Sequence, residues 1–411
     1  MTHGEAGSRR RVVVTGTGVI SALGNSRDEF WSAMTEGRSG IGPIEDVDIA
    51  TITFSQGGQV RGFDPAEFFE SRGEREIDRS TQFGLIAAKE AIEQSGLEWT
   101  DELRARTGVV TGCAVGGIGT QDTCFKRLYG EGKSRSHPHT IPRIMSNAGA
   151  SQISMRYGFM GPVYTLSTAC ASSNHAIGLA FWNLRGGLCD LMVAGGHEAL
   201  FSRGHLGAWD AIRVVSHDTC RPFTKDRPGM IVGEGGAMLV LETLEAAEAR
   251  NATILAELCG FGMTADAHHL TMPSQDGPAR AIELALADGN IAPKEVGYVN
   301  AHGTGTDAND ANEIAAIKQV FGDHAKNLLV SSTKSMTGHA IGAAGAIEAV
   351  ATVLALRDGV APPTANFTEP DPACDLDVVP NEARRGSFDA AISNTFAFGG
   401  LNAVLAFRAW K

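Results

Sequence analysis

The chain has 411 residues, 43% apolar and 20% charged, the balance of a folded globular protein with a deep core and not of a disordered or fibrous one. Its formal charge of −12 argues against nucleic acid as a general partner, which demands a dense positive field. Seven scattered cysteines without a CxxC pair predict reduced thiols and a cytoplasmic location.

At the start, Arg9, Arg10 and Arg11 precede an apolar run, Val12 to Leu23, that superficially imitates a signal peptide. Gly16, Gly18 and Gly24 interrupt the run and no small-residue cleavage site follows, so it reads as part of the fold. Val12–Val14 predicts a strand, and the following Gly-Thr-Gly invites a dinucleotide-binding reading. Ser21 stands where the third glycine would fall, and no acidic residue ends a second strand about 20 residues later. A tight strand-to-loop turn is expected instead.

Further along, Phe83–Ser95 reads as a helix, Thr107–Thr111 as a strand, and Val163–Leu166 as a strand running into the helix Asn174–Arg185. Leu191–Ala194 and Ala237–Glu242 read as strands, Ala279–Ala287 as a helix, Tyr298–Asn300 and Leu328–Ser331 as strands, Gly345–Arg357 as a helix and Ala391–Asn394 as a strand. This alternation defines an α/β protein. The Ala-rich stretch Ile341 to Leu356 carries Glu348 and falls short of the roughly 20 residues that span a bilayer, so no membrane segment is expected.

Setting Cys170 against Gly342 aligns Ala171 with Ala343, Leu184 with Leu356, Arg185 with Arg357 and Gly187 with Gly359. Such self-similarity suits a fold of two similar halves. No Pro- or Ser-rich linker separates them, which predicts one integrated unit over 1–411, with halves of about 11–250 and 251–411.

Four segments carry chemistry. Ser167-Thr-Ala-Cys-Ala-Ser-Ser-Asn174 places Cys170 at a strand-to-helix junction, where unpaired amides and the helix dipole favour a thiolate. Small neighbours leave room for a substrate, although a buried structural cysteine is the commoner fate. Asn300-Ala-His-Gly-Thr-Gly-Thr306 ends a strand in His302 and a loop whose glycines permit close approach of a ligand. Lys334-Ser-Met-Thr-Gly-His339 precedes the helix bearing Glu348. Either histidine alone reads as a structural residue; with the cysteine they form a Cys-His-His set. Asn394-Thr-Phe-Ala-Phe-Gly-Gly400 sets Phe398 before two glycines, as a turn or as a source of oxyanion-binding amides. His268-His269 and Gly196-His-Glu198 lack further ligand-spaced residues, so no metal is expected.

These segments, in this order, resemble the β-ketoacyl-acyl-carrier-protein synthases of the thiolase superfamily, and the match runs from Val12 to Phe407. Asp218-Thr-Cys-Arg-Pro-Phe223, Asn309-Asp-Ala-Asn-Glu313 and Asp371-Pro-Ala-Cys-Asp-Leu-Asp377 are similar to the elongating type, more narrowly to the nodulation protein E group and type II polyketide ketosynthases. The resemblance implies a thiolase-like fold with duplicated halves in a layered αβαβα arrangement. It implies that Cys170 takes an acyl chain from acyl carrier protein and that His302 and His339 stabilise the enolate of a decarboxylating malonyl group. Lys334 matches the family's lysine and Glu348 a glutamate acting behind it; Cys170, Phe398 and Gly399 form the oxyanion and gate region. Thr304, Thr306 and Thr271 resemble pantetheine contacts, and Val115 stands where a common fatty-acid type has isoleucine near the acyl pocket.

The resemblance further implies no enzyme-bound cofactor, since substrates ride on phosphopantetheine, and a dimer formed either with itself or with a cysteine-less homologous chain-length subunit. An acidic carrier protein requires a local basic patch, with Arg72, Arg75, Lys126, Arg127 and Arg213 as candidates. Leu401 and Asn309 depart from residues common in the family. A coenzyme A-dependent thiolase is the rival reading, weakened because no second cysteine accompanies Phe398-Gly-Gly. A dehydrogenase is weakened by the missing glycine.

Overall fold

Ten strands form one mixed sheet in the computed structural model, which describes residues 10–411; Arg9 lies outside the described residues. In chain order they are β1 (Val12–Ser21), β2 (Thr107–Gly112), β3 (Val163–Leu166), β4 (Leu191–Glu198) and β5 (Gly235–Thr243), then β6 (Ala256–Ala265), β7 (Val296–Asn300), β8 (Leu329–Ser331), β9 (Ala390–Ala397) and β10 (Leu401–Ala409). The sheet order is β8-β7-β9-β10-β6-β1-β5-β4-β2-β3.

That order is a duplication. The first five strands run β3-β2-β4-β5-β1 and the last five β8-β7-β9-β10-β6, the same sequence of positions. Directions repeat too: within each half the second strand is parallel to the third and fourth, and the fifth is antiparallel to the fourth and first. The halves join where Val12–Val14 of β1 pair with Ala256–Leu258 of β6.

Five helices matter for the site: α1 (Arg79–Ser95), α2 (Ser172–Arg185), α3 (Asp276–Asp288), α4 (Asp307–Phe321) and α5 (Ala344–Asp358). Helices α2 and α5 pack on each other and on strands of both halves, forming the inner layer, while α1 and α3 cover the outer faces. The result is the αβαβα layering. Because α5 is covered on every side, it is buried from Ala344 to Leu356 and apolar around its whole circumference, Glu348 and Thr352 apart. Both inner helices start at the positions that the alignment of Cys170 with Gly342 requires.

The glycine-rich start is not a turn. Gly16 and Gly18 lie within β1, a fully buried strand, and their missing side chains let α1 settle directly on the sheet. A Cβ at Gly16 would fall 2.0 Å from the Ala91 carbonyl oxygen, and one at Gly18 2.0 Å from that of Ala87. The second half repeats the device: a Cβ at Gly260 or Gly262 of β6 would fall 2.1 Å from the carbonyl oxygens of Ala285 and Ala281 in α3. Glycine here serves helix-on-sheet packing, with the space a pyrophosphate would need filled by helix backbone. The same substitution of glycine for β-branched residues hides β6 from a periodicity reading, which also misses β10.

Candidate active site

The chemistry-bearing residues come from loops at the carboxyl ends of parallel strands, the place where α/β sheets build sites. Cys170 follows β3, His302 follows β7, Lys334 and His339 follow β8, and Phe398 follows β9. Duplication brings these ends face to face.

Cys170 is carried on a tight turn. Ala169 is held at φ +51°, a left-handed conformation that L-residues resist, and the Ser172 hydroxyl braces it by donating to the Ala169 carbonyl at 2.7 Å. Sequence reasoning expects the helix start to lower the thiol pKa. The structure reverses this: α2 begins beyond Cys170, and burial pushes the thiol up to about 11, opposed by the Lys334 charge and by the backbone amides of Phe398 and Cys170. Desolvation of an anion outweighs these favourable contacts.

His302 is fixed from behind by α4. Glu313 accepts the amides of His302 and Gly303, each at 2.8 Å, and Asp310 accepts those of Phe223 at 2.8 Å and Gly305 at 3.2 Å. Both carboxylates are buried. In sequence Asn309-Asp-Ala-Asn-Glu313 is a point of resemblance without a role of its own. The available signal was two acids three residues apart on one helix face, directly after a glycine loop.

Lys334 is buried and spends all three protons: on Glu348 in an ion pair, on the His302 carbonyl at 2.7 Å and on His302 Nδ1 at 3.3 Å. His339 Nδ1 accepts the Ile341 amide at 3.2 Å. With both Nδ1 atoms accepting, each imidazole carries its proton on Nε2. Burial, reinforced by Lys334, holds both histidines well below the usual imidazole range, and burial pushes Glu348 up to about 7. The two rings stand edge to face with centroids 5.4 Å apart. The Cys170 sulfur and one nitrogen of each ring lie within 4.8 Å of one another.

All three face a cavity of about 270 Å³ whose wall includes Thr304, Thr306, Thr271 and Phe398. Phe398 is 37% exposed at its mouth, near Trp209, and Gly399 and Gly400 follow at φ +83° and +69°. The Gly399 amide donates to the Leu270 carbonyl at 2.7 Å, so the amides left to face the sulfur are those of Phe398 and Cys170, not Gly399. Trp209 and the Leu270–Met272 loop also line the cavity, and sequence reasoning missed both except for Thr271. Val115 is absent from this wall; its amide is bound to Glu198.

Arg72 is exposed and pairs with Glu76, and Arg75 is turned onto the carbonyls of Phe69 and Glu70. Lys126 and Arg127 line a second, open cleft of about 820 Å³ together with Arg135, Arg143 and Arg203. Arg213, exposed at φ +59°, ends the helix Arg203–Ile212, whose Trp209 and Ile212 reach the catalytic cavity. That helix connects the cleft to the cavity.

A cysteine sulfur under two imidazole N–H groups, in a duplicated αβαβα fold, defines the class of thiolase-like acyl-transferring condensing enzymes. The N-terminal domain of β-ketoacyl synthases matches residues 9–247 and the C-terminal domain residues 255–368, so the chain belongs to the β-ketoacyl synthase family. Nodulation protein E of Rhizobium sp. (strain N33) is 45% identical over 97% of this chain and 99% of its own. The 3-oxoacyl-[acyl-carrier-protein] synthase 2 of Coxiella burnetii is 43% identical over 97% of this chain and 98% of its own. Among solved structures, the ishigamide ketosynthase/chain length factor superposes with a TM-score of 0.93 at 37% identity, covering 98% of this chain and all of its own. The chain is therefore an acyltransferase that performs condensations of fatty acid or polyketide elongation.

Proposed function

We propose that the chain lengthens acyl groups presented on the phosphopantetheine of an acyl carrier protein, with Cys170 as the nucleophile. The carrying observation is the buried His339 Nε2–H, which has no partner among the described residues and lines the cavity beside Cys170. A donor left without an acceptor in a buried site is costly unless a substrate oxygen completes it.

In loading, the Cys170 sulfur attacks the carrier thioester; its proton leaves with the pantetheine thiol, and the amides of Cys170 and Phe398 hold the transient oxyanion. In elongation, the malonyl thioester oxygen accepts Nε2–H bonds from His302 and His339. Carbon dioxide leaves, the resulting enolate attacks the Cys170 thioester, and the thiolate released on collapse is reprotonated by water. Neutral imidazoles suit this, since they donate without competing for the proton. Lys334 fixes the His302 tautomer and Glu348 balances its charge. Thr304, Thr306 and Thr271 serve as pantetheine contacts along the wall. A metal ion would meet two ring nitrogens that already carry protons and an ammonium 3.3 Å behind one of them, so the site works without one.

The carrier docks at the cavity mouth beside Arg213, with the cleft of Lys126 and Arg127 extending the basic surface. Edge strand β3 leaves one row of backbone groups unpaired, and the adjoining helix Ala148–Tyr157 exposes Met155. A dimer forms across this edge, with a second copy or with a homologous chain-length subunit. All seven cysteines are free, and among the described residues no helix is long and apolar enough to cross a membrane; the cytoplasm suits such a chain. The whole chain acts as one unit, because both halves supply the site.

Incubating the protein with acyl carrier proteins of graded chain length and weighing the covalent products tests this reading. The expected result is a single acyl group on Cys170, absent in Cys170→Ala. An acyl group mapped to Cys113 or Cys374 overturns it.

A further inference from the structure

Glu198 ends β4, fully buried, in the Gly196-His-Glu198 segment that the mechanism leaves unused. Its Oε2 accepts the Ala114 amide at 2.6 Å, and its Oε1 accepts the Val115 amide at 3.3 Å and the Cys113 thiol at 3.4 Å. The Gly342 backbone donates to it as well, and burial pushes the carboxyl up to about 7 against these donors. This approach depends on glycine: a Cβ at Gly342 would lie 2.4 Å from Glu198 Oε2.

From here two chains of contact reach the reacting groups. The Ala114 carbonyl accepts the Ser167 hydroxyl at 3.0 Å, and Ser167 opens the turn that carries Cys170. Gly342 belongs to the turn Ile341–Ala343, whose first amide holds His339 Nδ1. His197 points elsewhere, its Nδ1 2.8 Å from the Ser80 hydroxyl, so the pair is no metal site.

We propose that Glu198 is a positioning residue for condensation, setting the separation of Cys170 from His339 by clamping the nucleophile turn of one half to the histidine turn of the other. The proposal rests on the roles given above to those two residues. Glu198→Gln keeps the volume but replaces one acceptor oxygen with an NH₂ group that confronts backbone N–H donors, which pushes one turn away.

The test measures loading of Cys170, malonyl decarboxylation and overall condensation separately, with melting curves on the same preparations. Glu198→Gln lowers the kcat of condensation about tenfold, as expected for a sub-ångström displacement, with KM for malonyl carrier protein within about twofold. Ser167→Ala, an exposed change that leaves folding intact, severs only the nucleophile branch. It slows loading about threefold, the worth of one net hydrogen bond, and decarboxylation less. A folded Glu198→Gln that condenses at the wild-type rate overturns the proposal, as does activity that falls only in step with the folded fraction. If Glu198→Gln does not fold, unchanged loading by Ser167→Ala overturns it. A wild-type protein that neither loads nor decarboxylates refutes the roles of Cys170 and His339, and this inference falls with them.

Discussion

The two halves share a strand order, a glycine pair beneath an outer helix and a central inner helix, yet they set different groups at and behind the cavity wall. The first contributes a neutral thiol among small residues. The second contributes a buried lysine, the carboxylates of Asp310, Glu313 and Glu348, and two neutral imidazoles. Where the first half has Cys170 at the entrance to its inner helix, the second has Gly342, and that glycine admits Glu198 across the interface. Duplication fixed where strand ends meet, and the loops at those ends differ; under the proposed function the first half captures the acyl group and the second stabilises charge.

That division can be broken experimentally. Replacing either histidine should lower malonyl decarboxylation by about two to three orders of magnitude, the effect of removing a preorganised donor, and acyl loading by less than tenfold. Rapid-quench assays of each half-reaction decide this, and a mutant that loses loading while keeping decarboxylation would reassign that histidine to the first half's chemistry.

A stability effect follows for the charged half. Lys334→Met leaves Glu348 buried without its partner and should cost about 3–5 kcal/mol in urea unfolding. Lys334→Met combined with Glu348→Leu should recover most of it. If the single change is silent, the second half's charges do not form the buried network described.

The pH dependence sharpens the contrast. A thiol held up near 11 is almost wholly protonated at neutrality, so alkylation of free Cys170 by iodoacetamide should rise about tenfold per pH unit between 7 and 9, without a plateau. Histidines held well below 6.5 remain neutral, so any change in decarboxylation by the acylated enzyme between pH 6 and 8 should be a single step near 7 from the buried Glu348 and Glu198, with no imidazole titration. A plateau in alkylation near pH 7 would restore the helix-activated thiolate that the sequence alone suggests.

The smallest effect concerns the boundary between the halves' chemistries. Phe398 stands at the cavity mouth before two glycines at positive φ, and Phe398→Ala should raise the ratio of carbon dioxide to ketoacyl product a few-fold, with the melting temperature unchanged. Both are read on one preparation. A lower melting temperature with a normal ratio would make Phe398 a packing residue.

Which residues meet is legible in the sequence. Cys170, His302, Lys334 and His339 each sit in short motifs at strand ends, and a strand end in an α/β fold has one place to go. The internal match of Cys170 with Gly342 likewise made the duplication legible, because repeated helices preserve their spacing. Their environment, by contrast, is set by packing. The helix start at Cys170 is a local signal for a low thiol pKa, but burial in the assembled fold desolvates the thiol, and it prevails. Gly16 and Gly18 look like a phosphate loop locally and prove to be a seat for a helix more than sixty residues further along the chain. The Gly399 amide and the Glu198 clamp are equally invisible in sequence, since each is defined by a partner remote in the chain, and only packing brings those partners within hydrogen-bonding distance.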